Sequence, residues 1–395
     1  MRKIALVFIA FLFLLPLSPF SVKAEIGIEK RIAIKEGEKV YNLSFNLSPY
    51  IEGRAKEEGG FYPLFKKEVE KGYCDLYQCL NILSPKLFDF CQSFEKRYFQ
   101  APQNANFTTQ TTYPFFSYQK DVEGRELDKT LLATQIFLIL DGKEDCAEVK
   151  SKTLKAKITL DTLKEKTALL SKFSTSFYAS NENRVHNITL ASSLINGTLL
   201  QSGESFSFNK KVGKREKERG FQDAKVILEG KYVEGVGGGV CQVSTTLYNC
   251  ALLGGMKIEK VSPHSLLPAY VPPSHDAMVS DYSDLIFTNN TTGEVYIFSQ
   301  VADKRITFYL FGKKDGIKRK TDSEIIKTIP FENTDEEGNI LSSTEGYHLL
   351  SEGKEGVISQ GYLITEKDGI TTKEKIRKDF YKKTNAVYGK AEALQ

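Results

Sequence analysis

GVGGGVCQVSTTLYNCALLGGMKIEKVSPHS, residues 235–265, is the stretch that decides how this chain is read. Four of its first five residues are glycine, and Cys241 follows two positions later. From Gln242 to Leu253 the spacing predicts a helix, with Val243, Leu247, Cys250 and Ala251 falling near one face. Gly254 and Gly255 stop it. A short strand is expected over Met256–Val261, and it leads to Ser262-Pro263-His264. A cysteine therefore stands at a helix start behind a glycine-rich turn, and a histidine comes one helix and one strand later.

That placement has chemical consequences. A helix start offers unpaired amides and a partial positive charge, and both favour a thiolate, the reactive form of cysteine. Glycines ahead of it let the backbone come close to a ligand and aim N–H groups at a developing oxyanion. A histidine folding back onto the thiol serves as base and then as acid. The competing reading is a buried structural cysteine beside a glycine turn, since unreactive buried cysteine is common.

The chain has 395 residues, enough for two to four domains. Its 54 basic and 50 acidic side chains leave a net charge of only +4, which argues against a dedicated nucleic-acid binder. Charged residues at 26% argue against wholesale disorder. Met1-Arg2-Lys3, the apolar run Ile4–Phe20 and the small-residue site ending at Ala24 read as a secretory signal over residues 1–24. An uncleaved anchor is the alternative, and it would be the only membrane contact; either way the mature chain is expected in the cell envelope or outside the cell. Cys74, Cys79, Cys91 and Cys146 offer two disulfides whose pairing the sequence leaves open. No spacing resembles a metal site, and no cofactor is expected.

Along the chain, residues 25–105 read as an accessory lobe, strand-like at Ile26–Lys35 and Lys39–Leu47 and helical from Tyr62 to Tyr98, with the clustered cysteines as a possible staple. Residues 106–168 begin with a polar linker and a strand at Phe115–Val122. Gly124–Asp128 then opens a helix over Lys129–Leu140, and a strand is expected over Val149–Leu160. In the next segment a helix is expected at Ile188–Leu194 and a hairpin at Phe221–Leu228 with Lys231–Gly235. Asp284–Asn290 and Val295–Ser299 look like a second hairpin. The tail from residue 324 is polar and glycine-punctuated, and runs such as Val357–Ile364 read as exposed antiparallel sheet. The whole suggests an α+β, multi-domain chain with a C-terminal all-β module.

FSTSF (173–177), RVHNITLASSLING (184–197), GESFSFNKKVG (203–213), residues 221–252, SPHSLLPAYVPPSHDAMV (262–279) and DLIFTNN (284–290) together resemble the VanW family across residues 169–313. Residues 106–168 resemble the peptidoglycan-binding-like region that often precedes such a domain. Residues 324–395 are similar to the G-five module that often follows it, a module thought to bind cell-surface polymers or to act as a spacer. Some VanW domains are regarded as cysteine L,D-transpeptidases of peptidoglycan stem peptides. The resemblance carries the family's cysteine to Cys241, its histidine to His264, its arginine and asparagine to Arg184 and Asn187, and its aspartate to Asp276. Family members usually carry Gly-Arg before that aspartate. Here Ser274-His275 stand there, and His275 replaces an arginine only when protonated.

On this reading Cys241 is the nucleophile, His264 the acid–base and Asp276 the residue that orients it. Amides near Gly238, Gly239 and Gln242 are expected to hold the oxyanion. Arg184 is expected to grip a carboxylate, its alternative being a structural ion pair. Ser244 and Thr245 either face the substrate or cap the helix. Two rival classes stay open: a non-catalytic peptidoglycan-binding or adhesion protein, and a cysteine hydrolase acting on the same substrate.

Overall fold

The computed structural model describes residues 27–390 except 73, 229 and 230. The expected secretory signal lies outside the described residues. Among the described residues no helix is long and apolar enough to cross a membrane. The fold is α+β, with helices set against several separate, mostly antiparallel sheets. The chain divides into two compact units, one of residues up to 104 with 121–157, the other of 105–120 with 158–395.

In the first unit the antiparallel strands Ile28–Glu36 and Lys39–Leu47 share one core with helices from Pro49–Glu57 to Pro85–Tyr98 and with Lys129–Leu140. The last of these begins and ends where its sequence predicts, because the Asp128 carboxylate accepts from the Leu131 amide at 3.0 Å. Gly124–Leu127, expected to open that helix, is instead a strand paired with Ser151–Leu154. That shorter strand replaces the one expected over Val149–Leu160. The six cysteines are all free. Cys74 and Cys79 approach to 2.8 Å between sulfurs without bridging, and Cys79 and Cys91 are buried core residues. Cys79 and Cys91 thus contribute to the lobe as apolar core residues, and the possible staple is not formed in this structure.

In the second unit a four-stranded antiparallel sheet runs in the order Ala168–Ser176, Arg305–Gly312, Val295–Ala302, Thr198–Leu200. The helices Glu182–Ile195 and Val240–Leu253 lie over it and share the largest core with it. Val240–Leu253 is buried on nearly every side, as expected of a helix inside a core. Several of its buried polar groups are bonded locally: Thr246 Oγ1 meets Thr175 Oγ1 at 2.7 Å, and the Cys250 carbonyl accepts from Ser171 Oγ at 2.7 Å. Ile286–Thr288 pairs with Ser205–Ser207 and Lys257–Lys260 in another sheet, so the second hairpin expected with Val295–Ser299 does not form. The hairpin Asp223–Leu228/Lys231–Val236 does form and feeds the glycine turn. In the tail, Lys318–Ile329, Gly356–Lys367 and Ile370–Tyr381 form a three-stranded antiparallel sheet. The first half of its central strand is buried, where an exposed sheet was expected.

Candidate active site

Gly239 ends the glycine turn with φ +104°, a left-handed conformation that side chains rarely adopt. A Cβ there would stand 3.0 Å from Arg184 Cγ and 3.0 Å from Ile188 Cγ1. Glycine therefore lets the chain turn tightly against the neighbouring helix and enter the next one at Val240. Cys241 is its second residue, half-buried on the wall of a groove of about 730 Å³. Arg184, Gln242, His264, Arg215, Tyr178 and Tyr270 also line that groove.

His264 lines the same groove as Cys241, and the two groups act on each other's ionisation. Its Nδ1 meets Asp276 Oδ2 at 2.6 Å, which leaves Nε2 unengaged by the carboxylate. Asp276 is fully buried and accepts two further bonds on its other oxygen, from Arg377 at 2.6 Å and from the Tyr381 hydroxyl at 2.7 Å. The backbone amide of His264 also donates to Asp276 Oδ2, at 2.6 Å. Four donors thus fix one carboxylate, and the carboxylate fixes the imidazole.

The charges favour a thiolate–imidazolium pair. Burial opposes ionisation of Cys241. The hydrogen bond and positive charge of His264, the Val279 amide and the Arg215 charge outweigh it, and the thiol falls below its ordinary value. Burial opposes charge on His264 too, yet Asp276 and Cys241 raise it to about 10. Asp276 is held below the usual carboxylate range: burial works against it, but His264, Arg377 and Tyr381 prevail. Cys250, nine residues on, has only neutral neighbours, and burial pushes it up to about 12. The two cysteines on this helix are therefore shifted in opposite directions, by what surrounds each sulfur.

The other expected residues separate by position. Arg184 lines the groove, where it donates to Ser180 Oγ at 2.7 Å and to Gln242 Oε1 at 2.8 Å. The Gln242 side chain also donates to Thr175 Oγ1 and to the Ser176 carbonyl, both at 2.9 Å, so it positions Arg184. The Gln242 amide is taken by the Gly239 carbonyl at 2.9 Å, which removes it from the expected oxyanion donors. Among the described residues the amides of Gly238, Gly239 and Cys241 have no protein acceptor, and they remain for that role. Asn187 is fully buried and donates to the Gln222 and Gly238 carbonyls at 2.8 and 3.0 Å, so it braces the glycine turn away from the groove. Ser244 and Thr245 face inward: Ser244 donates to the Ala277 carbonyl at 2.6 Å, and Thr245 Oγ1 accepts from the Ala277 amide at 2.9 Å. They tie the Asp276 loop to the helix and do not face a substrate.

His275 is also a correction. It is buried with Nε2 donating to the Asp322 carbonyl at 2.8 Å, and burial lowers it from its ordinary value. It stays neutral and points away from the groove, so it does not replace a carboxylate-gripping arginine. Arg215 is the groove cation that motif reading missed; Asn209 Oδ1 holds it at 2.9 Å. Arg377 and Tyr381 were missed as well, because nothing near them in sequence points to Asp276.

Residues 183–311 match the family model described as VanW like protein. The chain carries a VanW-like domain. It is 42% identical over 114 residues to the uncharacterized protein YoaR of Bacillus subtilis (strain 168), a match spanning 29% of this chain and 38% of that protein. It is 32% identical over 139 residues to the vancomycin B-type resistance protein VanW of Enterococcus faecalis (strain ATCC 700802 / V583), spanning 34% of this chain and 50% of that protein. The matches thus span half or less of these curated relatives. The crystal structure of HP0197-G5 is 21% identical over 19% of this chain and 95% of its own, with a TM-score of 0.13, a value that establishes no shared fold. The VanW-like segment holds Cys241, His264 and Asp276 but ends well before Arg377 and Tyr381.

Proposed function

We propose that this is an exported cell-wall protein whose groove performs cysteine acyl transfer on peptidoglycan stem peptides, of the L,D-transpeptidase type. The observation that carries the reading is the row Cys241–His264–Asp276, with its charges alternating, on a groove that also presents Arg184 and Arg215. A structural cysteine has no use for a buried imidazolium partner. Two guanidinium groups suit a substrate bearing carboxylates.

The Cys241 thiolate attacks the carbonyl of the amide joining a diamino acid to a terminal D-alanine. In this reading the amides of Gly238, Gly239 and Cys241, to which no protein acceptor is bonded among the described residues, stabilise the oxyanion. The tetrahedral intermediate collapses, the C–N bond breaks, and His264 gives its proton to the departing D-alanine nitrogen. A thioester remains. The side-chain amine of a second stem attacks it, His264 takes that proton, and the thiolate returns as the new amide forms. Water in place of the amine gives hydrolysis. No cofactor enters either route.

The test is incubation with a disaccharide-tetrapeptide, with chromatography of the products. The expected products are free D-alanine and a cross-linked dimer, both absent with Cys241→Ala. A shortened monomer without dimer would assign hydrolysis. Neither product, from protein that still sediments with sacculi, would overturn acyl transfer in favour of binding alone.

A further inference from the structure

The loop carrying Asp276 is held on one side by the helix of Cys241 and on the other by all three strands of the tail sheet. From Lys318–Ile329, Ser323 Oγ donates to the Pro273 carbonyl at 2.7 Å, and the Asp322 carbonyl accepts from His275. From Gly356–Lys367, Ser359 Oγ meets Ser274 Oγ at 2.8 Å. At Gly361 a Cβ would stand 2.9 Å from that of Ser274, so glycine lets the strand pass this close. From Ile370–Tyr381 come Arg377 and Tyr381, more than one hundred residues from the carboxylate that both of them bond. The Tyr381 hydroxyl also accepts from the Ser274 amide at 2.7 Å, at a residue with φ +62°. One residue past the histidine, the Ser265 carbonyl accepts from the Lys382 amide at 2.7 Å.

The charges continue the same row. Arg377 Nε donates to Asp379 at 2.7 Å, and both side chains are largely buried. From the tail inward Asp379 is negative, Arg377 positive, Asp276 negative and His264 positive, and the Cys241 thiol, lowered from its ordinary value, stands next on the groove wall. Each of these four buried charges faces one of opposite sign, which is what lets them persist away from water.

The geometry points to Arg377 and Tyr381 as positioning residues for the nucleophile: the C-terminal β module completes the active site through Asp276, beyond any role it has as a polymer-binding spacer. This rests on Cys241 being the reactive thiol of the proposed function. Without Arg377, Asp276 would be a buried carboxylate with one fewer cation, would take a proton more readily, and would release His264 and with it the thiolate. The titratable and charged groups around Asp276 are His264, Cys241, Arg377, Asp379, Tyr381, Tyr248, Tyr270 and His275. Of these, His264 and Arg377 are the cations that oppose protonation of Asp276, each at 2.6 Å, and Arg377 is the one that can be removed without touching the proposed Cys241–His264 pair.

The experiment is the pH dependence of Cys241 alkylation by iodoacetamide, read by intact mass on the full mature chain. Arg377→Gln, Arg377→Lys and Tyr381→Phe would be compared with wild type, each checked for cooperative thermal unfolding. Arg377→Gln should slow alkylation near pH 6 by about tenfold to a hundredfold, the loss of one hydrogen bond to a charged group, and move the acid limb to higher pH. Arg377→Lys should recover part of the rate, and Tyr381→Phe should give a smaller shift of the same sign. If Arg377→Gln does not fold, Tyr381→Phe, which removes one hydroxyl, decides. Folded variants that lose stability but keep the wild-type acid limb would overturn the proposal. Alkylation needs no substrate, so a shifted limb stands even if no D-alanine is released, and an unshifted one fails even if it is.

Discussion

Replacing Asp276 by asparagine keeps the shape of the side chain and removes its charge. The carboxylate accepts four bonds, from the His264 amide and Nδ1 on one oxygen and from Arg377 and Tyr381 on the other. An amide offers one oxygen and one NH₂ group, so two of the four donors then face another donor. Arg377 keeps only Asp379 as a counter-charge. Removing one partner of a buried charge pair costs roughly 3–5 kcal/mol, and the surviving Asp379 contact puts this case near the lower figure. The chemical effect is separate. Without the carboxylate His264 loses its main reason to be charged, and Cys241 returns toward its ordinary value of 9.0. At pH 7 such a thiol is about 1% thiolate. Alkylation of Asp276→Asn at pH 7 should therefore be many-fold slower than wild type, rising only as pH approaches 9, while turnover falls roughly 10²–10⁴-fold with loss of the oriented base. The assay is iodoacetamide incorporation by intact mass across pH 5–9, beside urea unfolding. A folded Asp276→Asn protein with the wild-type alkylation profile would refute the reasoning, because His264 would then be charged without its carboxylate.

Three further outcomes follow from the same geometry. Brief iodoacetamide treatment of native protein followed by peptide mapping should label Cys241 and leave Cys250 intact, since burial raises the latter to about 12; equal labelling would show that the two environments do not differ. Gly239→Ala should cost about 1–2 kcal/mol for the left-handed backbone alone and displace Arg184, read as a lowered midpoint in thermal unfolding; an unchanged midpoint contradicts the turn described. His264 sits at about 10 in the fold against 6.5 when unfolded, so its contribution to stability is full below pH 6.5 and is lost as pH rises toward 10. The wild-type stability advantage over His264→Ala in urea should shrink across that window, and an advantage that grows with pH would reverse the sign.

Local signals were legible in the sequence and long-range ones were not. The helix Lys129–Leu140 has the bounds its apolar run predicts, although its buried residues are Leu132, Ala133, Ile136 and Phe137 rather than the face expected, and its cap, Asp128, lay unused in the sequence. The helix Glu182–Ile195 starts six residues ahead of its apolar run, since Asn181 caps it through the Arg184 amide at 2.9 Å; that cap lay unused in the sequence. The strands Ile286–Thr288 and Val295–Ala302 looked like a hairpin because they are neighbours in the chain, yet each finds its partners elsewhere. Cys241 and His264 stood out because a glycine turn, a helix start and a short return connect them locally. For Ser244 and Thr245 the sequence left two uses open, and for His275 it named a conditional one, because these residue types suit a substrate as well as they suit a loop brace; only burial distinguishes the two uses. Arg377 and Tyr381 carry no motif at all. They matter because the tail sheet folds back onto Asp276, and no periodicity or spacing records that contact.

The most direct test of the central claim is the intact mass of purified protein lacking residues 1–24 after incubation with disaccharide-tetrapeptide, beside Cys241→Ala. The account predicts a mass gain equal to the donor minus D-alanine, located on Cys241 and absent from the variant. An unmodified protein with no D-alanine released, or an adduct that persists in Cys241→Ala, would contradict it.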